Sequence, residues 1–132
     1  MEVKAVFVDA AGTLLRPREP VGITYSRFAR QYGYHSDPVR VEARFRDALR
    51  RHRGQPQRGD GRGFWRPVVS ESLGIHDEAV FEALYHWYAT PKAWWIDTGA
   101  LALLAKLARE GVRLGIISNW DSRLRLLYTR FA

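Results

Sequence analysis

The sequence predicts an α/β fold, and three observations carry that expectation. Residues 3 to 8, Val-Lys-Ala-Val-Phe-Val, form an apolar, β-branched run that stops at Asp9 and turns at once through Ala10-Ala11-Gly12-Thr13. That is the pattern of a buried parallel strand running into a loop. A second such run, Val112 to Ile117, stops at Ser118-Asn119. Between the two, apolar residues recur at helical spacing.

Taken in order, Arg16 to Pro20 reads as a linker out of the core, because its two prolines remove backbone donors. Residues 22 to 32 predict a short helix with Tyr25, Phe28, Ala29 and Tyr32 along one face, ended by Gly33. Ser36 or Asp37 then caps a second helix with Pro38 in its first turn, whose Val41, Phe45, Ala48, Leu49 and His52 face inward and whose other side is arginine. Residues 53 to 63 hold four glycines and a proline and predict a flexible loop.

A helix from Phe64 to Leu73 stops at Gly74, and Asp77 caps another carrying Val80, Phe81, Leu84, Tyr85 and Tyr88. Thr90 to Ile96 leads back towards the second strand. Trp65, Trp87, Trp94 and Trp95 read as the core of this helical region and its contact with the sheet, in preference to a ligand cage. Asp97 or Thr98 caps a helix bearing Leu101, Leu104, Leu107 and Ala108, which Gly111 ends. After the second strand, Asp121 opens a last helix with Leu124, Leu127, Tyr128 and Phe131. No repeat at solenoid spacing is present.

Composition narrows the classes. At 132 residues, 46% hydrophobic and 13% aromatic, the chain can bury a core, which argues against disorder. It contains no apolar stretch long enough to span a bilayer and opens on a charged strand, so a soluble, cytoplasmic protein without a membrane partner is expected. The absence of cysteine excludes disulfides, thiolate nucleophiles and Cys-ligated zinc. The net charge of +7 is carried by arginine, nine of them between Arg40 and Arg66. A solvated helix face is the preferred reading of that stretch. Nucleic acid is the disfavoured one, since no RNA- or DNA-binding motif accompanies the charge.

Ligands gather at the carboxyl ends of strands in open α/β sheets, which makes Asp9 the first candidate for chemistry. The alternative is a carboxylate that merely caps its turn.

Asp9, Gly12, Thr13 and Leu14 match the Asp-x-Asp-x-Thr-Leu motif at the end of a first strand, and Ser118-Asn119 matches the Ser or Thr that ends a second. In this order, with a mostly helical insert between them, the chain resembles the haloacid dehalogenase-like (HAD) hydrolase superfamily. The resemblance implies a partial HAD-like Rossmannoid parallel sheet, formed by residues 1–15 and 96–132, with a helical cap at 16–95. It implies a hydrolase in which Asp9 is the nucleophile on a small phosphorylated or halogenated substrate. Ala10, Ala11, Gly12, Thr13, Ser118 and Asn119 would then surround the substrate's anionic group. In phosphatase members Mg²⁺ would be held by Asp9 and the Ala11 backbone carbonyl.

Two departures qualify that picture. The second Asp of the motif, the general acid/base of the phosphatases, is Ala11 here. No lysine lies between Lys4 and Lys92, which counts against the cap lysine of phosphonatases. The family's third and fourth motifs, a cation and an acidic cluster, do not occur before Ala132, so weak Mg²⁺ binding at best is expected. An unpaired edge along Val3 to Val8 is expected to drive self-association. The alternative to a hydrolase is a catalytically inactive, truncated module that binds an anion or a protein partner.

Overall fold

A computed structural model describes residues 2–131, and the Tyr128 and Phe131 side chains expected in the last apolar stripe lie outside the described residues. The first strand, β1 (Ala5–Val8), pairs in parallel with a strand near the C-terminus, β4 (Arg113–Ile116), in the register Ala5↔Arg113 to Val8↔Ile116. Between them come β2 (Leu15–Pro17), α1 (Val21–Gln31), α2 (Pro38–His52), α3 (Arg62–Leu73), α4 (Glu78–Trp87), β3 (Trp94–Ile96) and α5 (Thr98–Arg109). The last helix is α6 (Arg123–Phe131). The mixed α/β class and the helical insert are as the sequence predicts.

The helix starts follow local chemistry. Asp37 accepts from the Val39 N–H at 3.1 Å, Asp77 from the Ala79 and Val80 N–H groups at 2.9 and 3.1 Å, and Asp97 from the Ala100 N–H at 2.8 Å. Asp37 rather than Ser36, and Asp97 rather than Thr98, is therefore the cap. Helix α3 begins at Arg62, inside the stretch expected to be a flexible loop. Asp60 accepts from the Arg62 N–H at 3.0 Å, the Tyr85 hydroxyl donates to the Asp60 carbonyl, and Arg62 reaches Glu82 at 2.7 Å. Those contacts from α4 fix the end of the loop.

Two expectations are corrected. Arg16 to Pro20 is not only a linker. Leu15–Pro17 and Trp94–Ile96 form an antiparallel ribbon, Leu15 opposite Ile96 and Pro17 opposite Trp94. Pro17 is tolerated because it ends a strand of a two-stranded ribbon, where no inner ladder needs its missing N–H. The ribbon extends as Arg18, whose N–H donates to the Ala93 carbonyl at 2.9 Å and whose Nε donates to Trp94 O at 2.8 Å. The outgoing and returning chain thus lie side by side.

The second correction concerns burial. Phe7 is 64% exposed and Ile117 66%, and α5 buries none of its residues. The strands read as buried are covered in part, β4 by α5 and Val8 by the cluster of Leu14, Leu15 and Leu127, while Phe7 and Ile117 face outward.

The cap has a dense core of its own. Val21, Tyr25 and Ala29 from α1 meet Val41 from α2, Val69 and Leu73 from α3, and Val80, Phe81 and Leu84 from α4. A second cluster, Leu14, Leu15, Ala93, Trp94 and Leu127, joins the ribbon to α6. No described helix is long and apolar enough to cross a membrane.

Candidate active site at the strand ends

Asp9 follows β1 directly, and its side chain is exposed. The Ile117 N–H donates to the Val8 carbonyl at 3.1 Å, so the chain leaves the two strands at the same end and Asp9 and Ser118 emerge next to one another. The parallel register thus brings together the two residues that the sequence singles out, from opposite ends of the chain.

The loop after Asp9 is tightly wound. The Ala10 carbonyl accepts from the N–H groups of Thr13, Leu14 and Leu15 at 3.2, 2.9 and 3.0 Å, and Ala10 is fully buried. Gly12 turns the loop at φ 78°, where a side chain would be strained. The Thr13 hydroxyl donates to Asp9 Oδ2 at 3.2 Å, which orients the carboxylate, and among the described residues no donor reaches its other oxygen. The Gly12 N–H, expected among the donors open to an anion, is spent on the Leu15 carbonyl at 2.8 Å. Among the described residues the Ala10 and Ala11 N–H groups donate to no backbone carbonyl of the loop.

On the other strand, Ser118 is half-buried, and its Oγ accepts from the Trp120 N–H at 3.3 Å. That contact fixes the hydroxyl oxygen while leaving its proton to donate. Asn119 is exposed.

Among the described residues no group of three or more His, Asp or Glu side chains is placed so that it could hold a metal ion. Asp9 and the Ala11 carbonyl offer two oxygens, whereas Mg²⁺ demands near-octahedral oxygen coordination. These residues by themselves do not fit a magnesium site.

Part of the arginine charge is matched within the cap. Arg51 reaches Glu71 at 2.6 Å, Arg62 reaches Glu82 at 2.7 Å, and Arg66 reaches Glu78 at 2.8 Å. A cavity of about 90 Å³ lies where Tyr25, Tyr88, Trp94, Trp120 and Arg123 meet, and none of the expected site residues lines it. Its walls are almost wholly apolar, and burial pushes the Tyr88 phenol up to about 12. Arg123 adds no anion-binding charge there, because its guanidinium is committed to Asp121 and to the Tyr85 carbonyl.

Relatives carry the assignment further. Over 137 residues the chain is 33% identical to the haloacid dehalogenase-like hydrolase domain-containing protein 3 of Xenopus tropicalis, covering 94% of this chain and 72% of that protein. The chain belongs to the HAD-like hydrolase superfamily. Proteins of the same name from Danio rerio and Homo sapiens are each 31% identical to it, over 135 and 137 residues. This HAD-like chain spans 56% of the Danio protein's length and 55% of the human one's. No family-wide sequence profile matches it.

Sequence reasoning missed one group. Asp121 does stand at the start of the last helix, accepting from the Arg123 N–H at 3.1 Å, but it is also a buried carboxylate paired with the Arg123 side chain and bonded to Trp65 of the cap. The only local signal is an Asp-x-Arg placed directly after the Ser118-Asn119-Trp120 turn.

Proposed function

We propose that this HAD-like chain takes part in hydrolysis of a small phosphorylated, or halogenated, substrate with Asp9 as the nucleophile. The supporting observation is the exposed Asp9 carboxylate at the end of β1, oriented by Thr13 and emerging beside Ser118. On a phosphorylated substrate its free oxygen attacks phosphorus and forms an aspartyl phosphate, while the bond to the leaving oxygen breaks and that oxygen keeps the electron pair. Water then attacks the phosphorus, releases phosphate and restores the carboxylate. The Ala11 N–H and the Ser118 hydroxyl are the donors available to the phosphoryl oxygens.

Ala11 decides the substrate class within that reading. No carboxyl group stands there to protonate the leaving oxygen, a contribution typically about 10²–10⁴-fold. Substrates whose leaving group departs as a stable anion, such as aryl phosphates or 2-haloacids, suit the site better than alkyl phosphates.

The test is hydrolysis of an aryl phosphate and of an alkyl phosphate, with magnesium in the buffer, by the chain and by Asp9→Asn. Chloride release from a 2-haloacid is followed in parallel. Turnover of the aryl ester that Asp9→Asn abolishes supports the reading, whereas turnover equal in the two proteins refutes it. The second reading, a non-catalytic module that binds an anion or a protein, is favoured by the same Ala11 and by the fact that, among the described residues, no acidic group able to hold a metal forms. Absence of turnover with retained phosphate binding would establish it.

A further inference from the structure

The segment just beyond Ser118 is held by the cap. Asp121 and Arg123 form a two-pronged ion pair within the segment, Nε to Oδ1 at 2.8 Å and Nη2 to Oδ2 at 2.7 Å. Both side chains are almost fully buried, and the cap supplies the burial. Trp65 of α3 donates its indole N–H to Asp121 Oδ2 at 3.0 Å, and Arg123 Nη1 donates to the Tyr85 carbonyl at 3.1 Å. The guanidinium lies 4.0 Å from the Tyr85 ring centre, and the Ser122 N–H reaches the Gly59 carbonyl at 3.4 Å. A Cβ on Gly61 would come within 2.7 Å of Asp121 Cβ and Cγ. The pair is therefore a preformed plug, and Gly59 to Gly61, Trp65 and Tyr85 are its socket.

We propose that Asp121 and Arg123 are positioning residues that seat the Ser118–Trp120 turn against the cap, so that turn and cap move as one body. The role rests on the reading of Ser118 as part of the site. Support continues along the segment. Trp120 packs 4.6 Å from Trp94 of the ribbon, and Arg130 Nη1 donates to the Ala89 carbonyl at 3.3 Å. Local pairing by Asp121 keeps the arginine neutralised whether or not the cap is docked, so seating it does not strand a charge.

The experiment uses matched glycines. Gly54 and Gly61 both have positive φ, 87° and 79°, but Gly54 lies outside the socket and a Cβ on it meets nothing within 4 Å. Gly54→Ala and Gly61→Ala carry a similar backbone strain, and only the second pushes on the plug. Amide hydrogen exchange is measured on both and on Trp65→Phe, which removes the indole donor. The proposal expects exchange of Ser118 to Arg123 to rise about tenfold in Gly61→Ala and Trp65→Phe, with exchange there unchanged in Gly54→Ala and the α1 amides unchanged throughout. Unchanged exchange at 118–123, or a rise shared equally with α1, overturns it. Should Gly61→Ala fail to fold, Trp65→Phe decides alone. Exchange needs no turnover, so failure of the hydrolase reading and failure of this one give different results.

Discussion

The Gly22 N–H, in the first turn of α1, donates to the Glu42 carboxylate of α2 at 2.5 Å. A Cβ at Gly22 would meet the Pro38 carbonyl and come within 2.8 Å of the Glu42 nitrogen. The two helices touch there through backbone. Alanine is the better helix former by about 0.8–1.0 kcal/mol, yet overpacking costs about 1–3 kcal/mol, so Gly22→Ala is expected to destabilise the cap. Urea unfolding should show a lower midpoint with an unchanged slope.

His52 Nε2 lies 2.8 Å from Glu71 Oε1, and Arg51 reaches the same carboxylate. The hydrogen bond that the imidazole donates to Glu71 holds His52 above its ordinary value, and the bonds from His52 and Arg51 hold Glu71 below its own. A raised histidine contributes stability that is complete below its unfolded value of about 6.5 and is lost as pH rises through the folded one. The melting temperature should therefore fall from about pH 6 to pH 8, and His52→Gln should flatten that slope. A slope unchanged in the variant would remove His52 as its source.

Breaking the Asp121–Arg123 pair singly leaves a buried charge without its partner, so Asp121→Leu or Arg123→Met should each cost about 3–5 kcal/mol. The double variant buries neither charge. Its loss should be smaller than the sum by about 1–3 kcal/mol. Chemical unfolding of the four proteins completes the cycle, and strict additivity would contradict a coupled pair.

The β1–β4 sheet presents Phe7, Leu114, Ile116 and Ile117 to solvent, and among the described residues β1 pairs on one side only. We propose that a second copy of the chain covers this edge, because an unpaired apolar edge is a template for another strand. Light scattering at micromolar concentration should report a dimer that Phe7→Lys dissociates. A monomer overturns this.

What the sequence made legible is what local chemistry writes. Asp37, Asp77 and Asp97 cap their helices through N–H groups two or three residues away, and the Asp9 and Ser118 strand ends declare themselves by an abrupt loss of apolar residues. The ribbon escaped because each of its strands has three residues and one contains Pro17, too few to show alternation. The plug escaped because Trp65 and Asp121 stand 56 residues apart and nothing local marks either as the other's partner. The bare sheet face escaped for the opposite reason. An apolar run says that a strand wants cover, not that the cover is present.

Pairing of Leu15 with Ile96 places the two ends of the helical insert side by side, so the core strands would need only a tight turn to close without it. Such adjacency makes an insert portable, able to be exchanged between scaffolds without lengthening a connection. The helices here are not wholly portable, however. A graft that keeps the ribbon but lacks Gly61, Trp65 and Tyr85 would leave the host's Asp121 and Arg123 without a socket. Chimeras of this protein therefore have two compatibility conditions, one written in backbone pairing and one in three side-chain positions far from the splice.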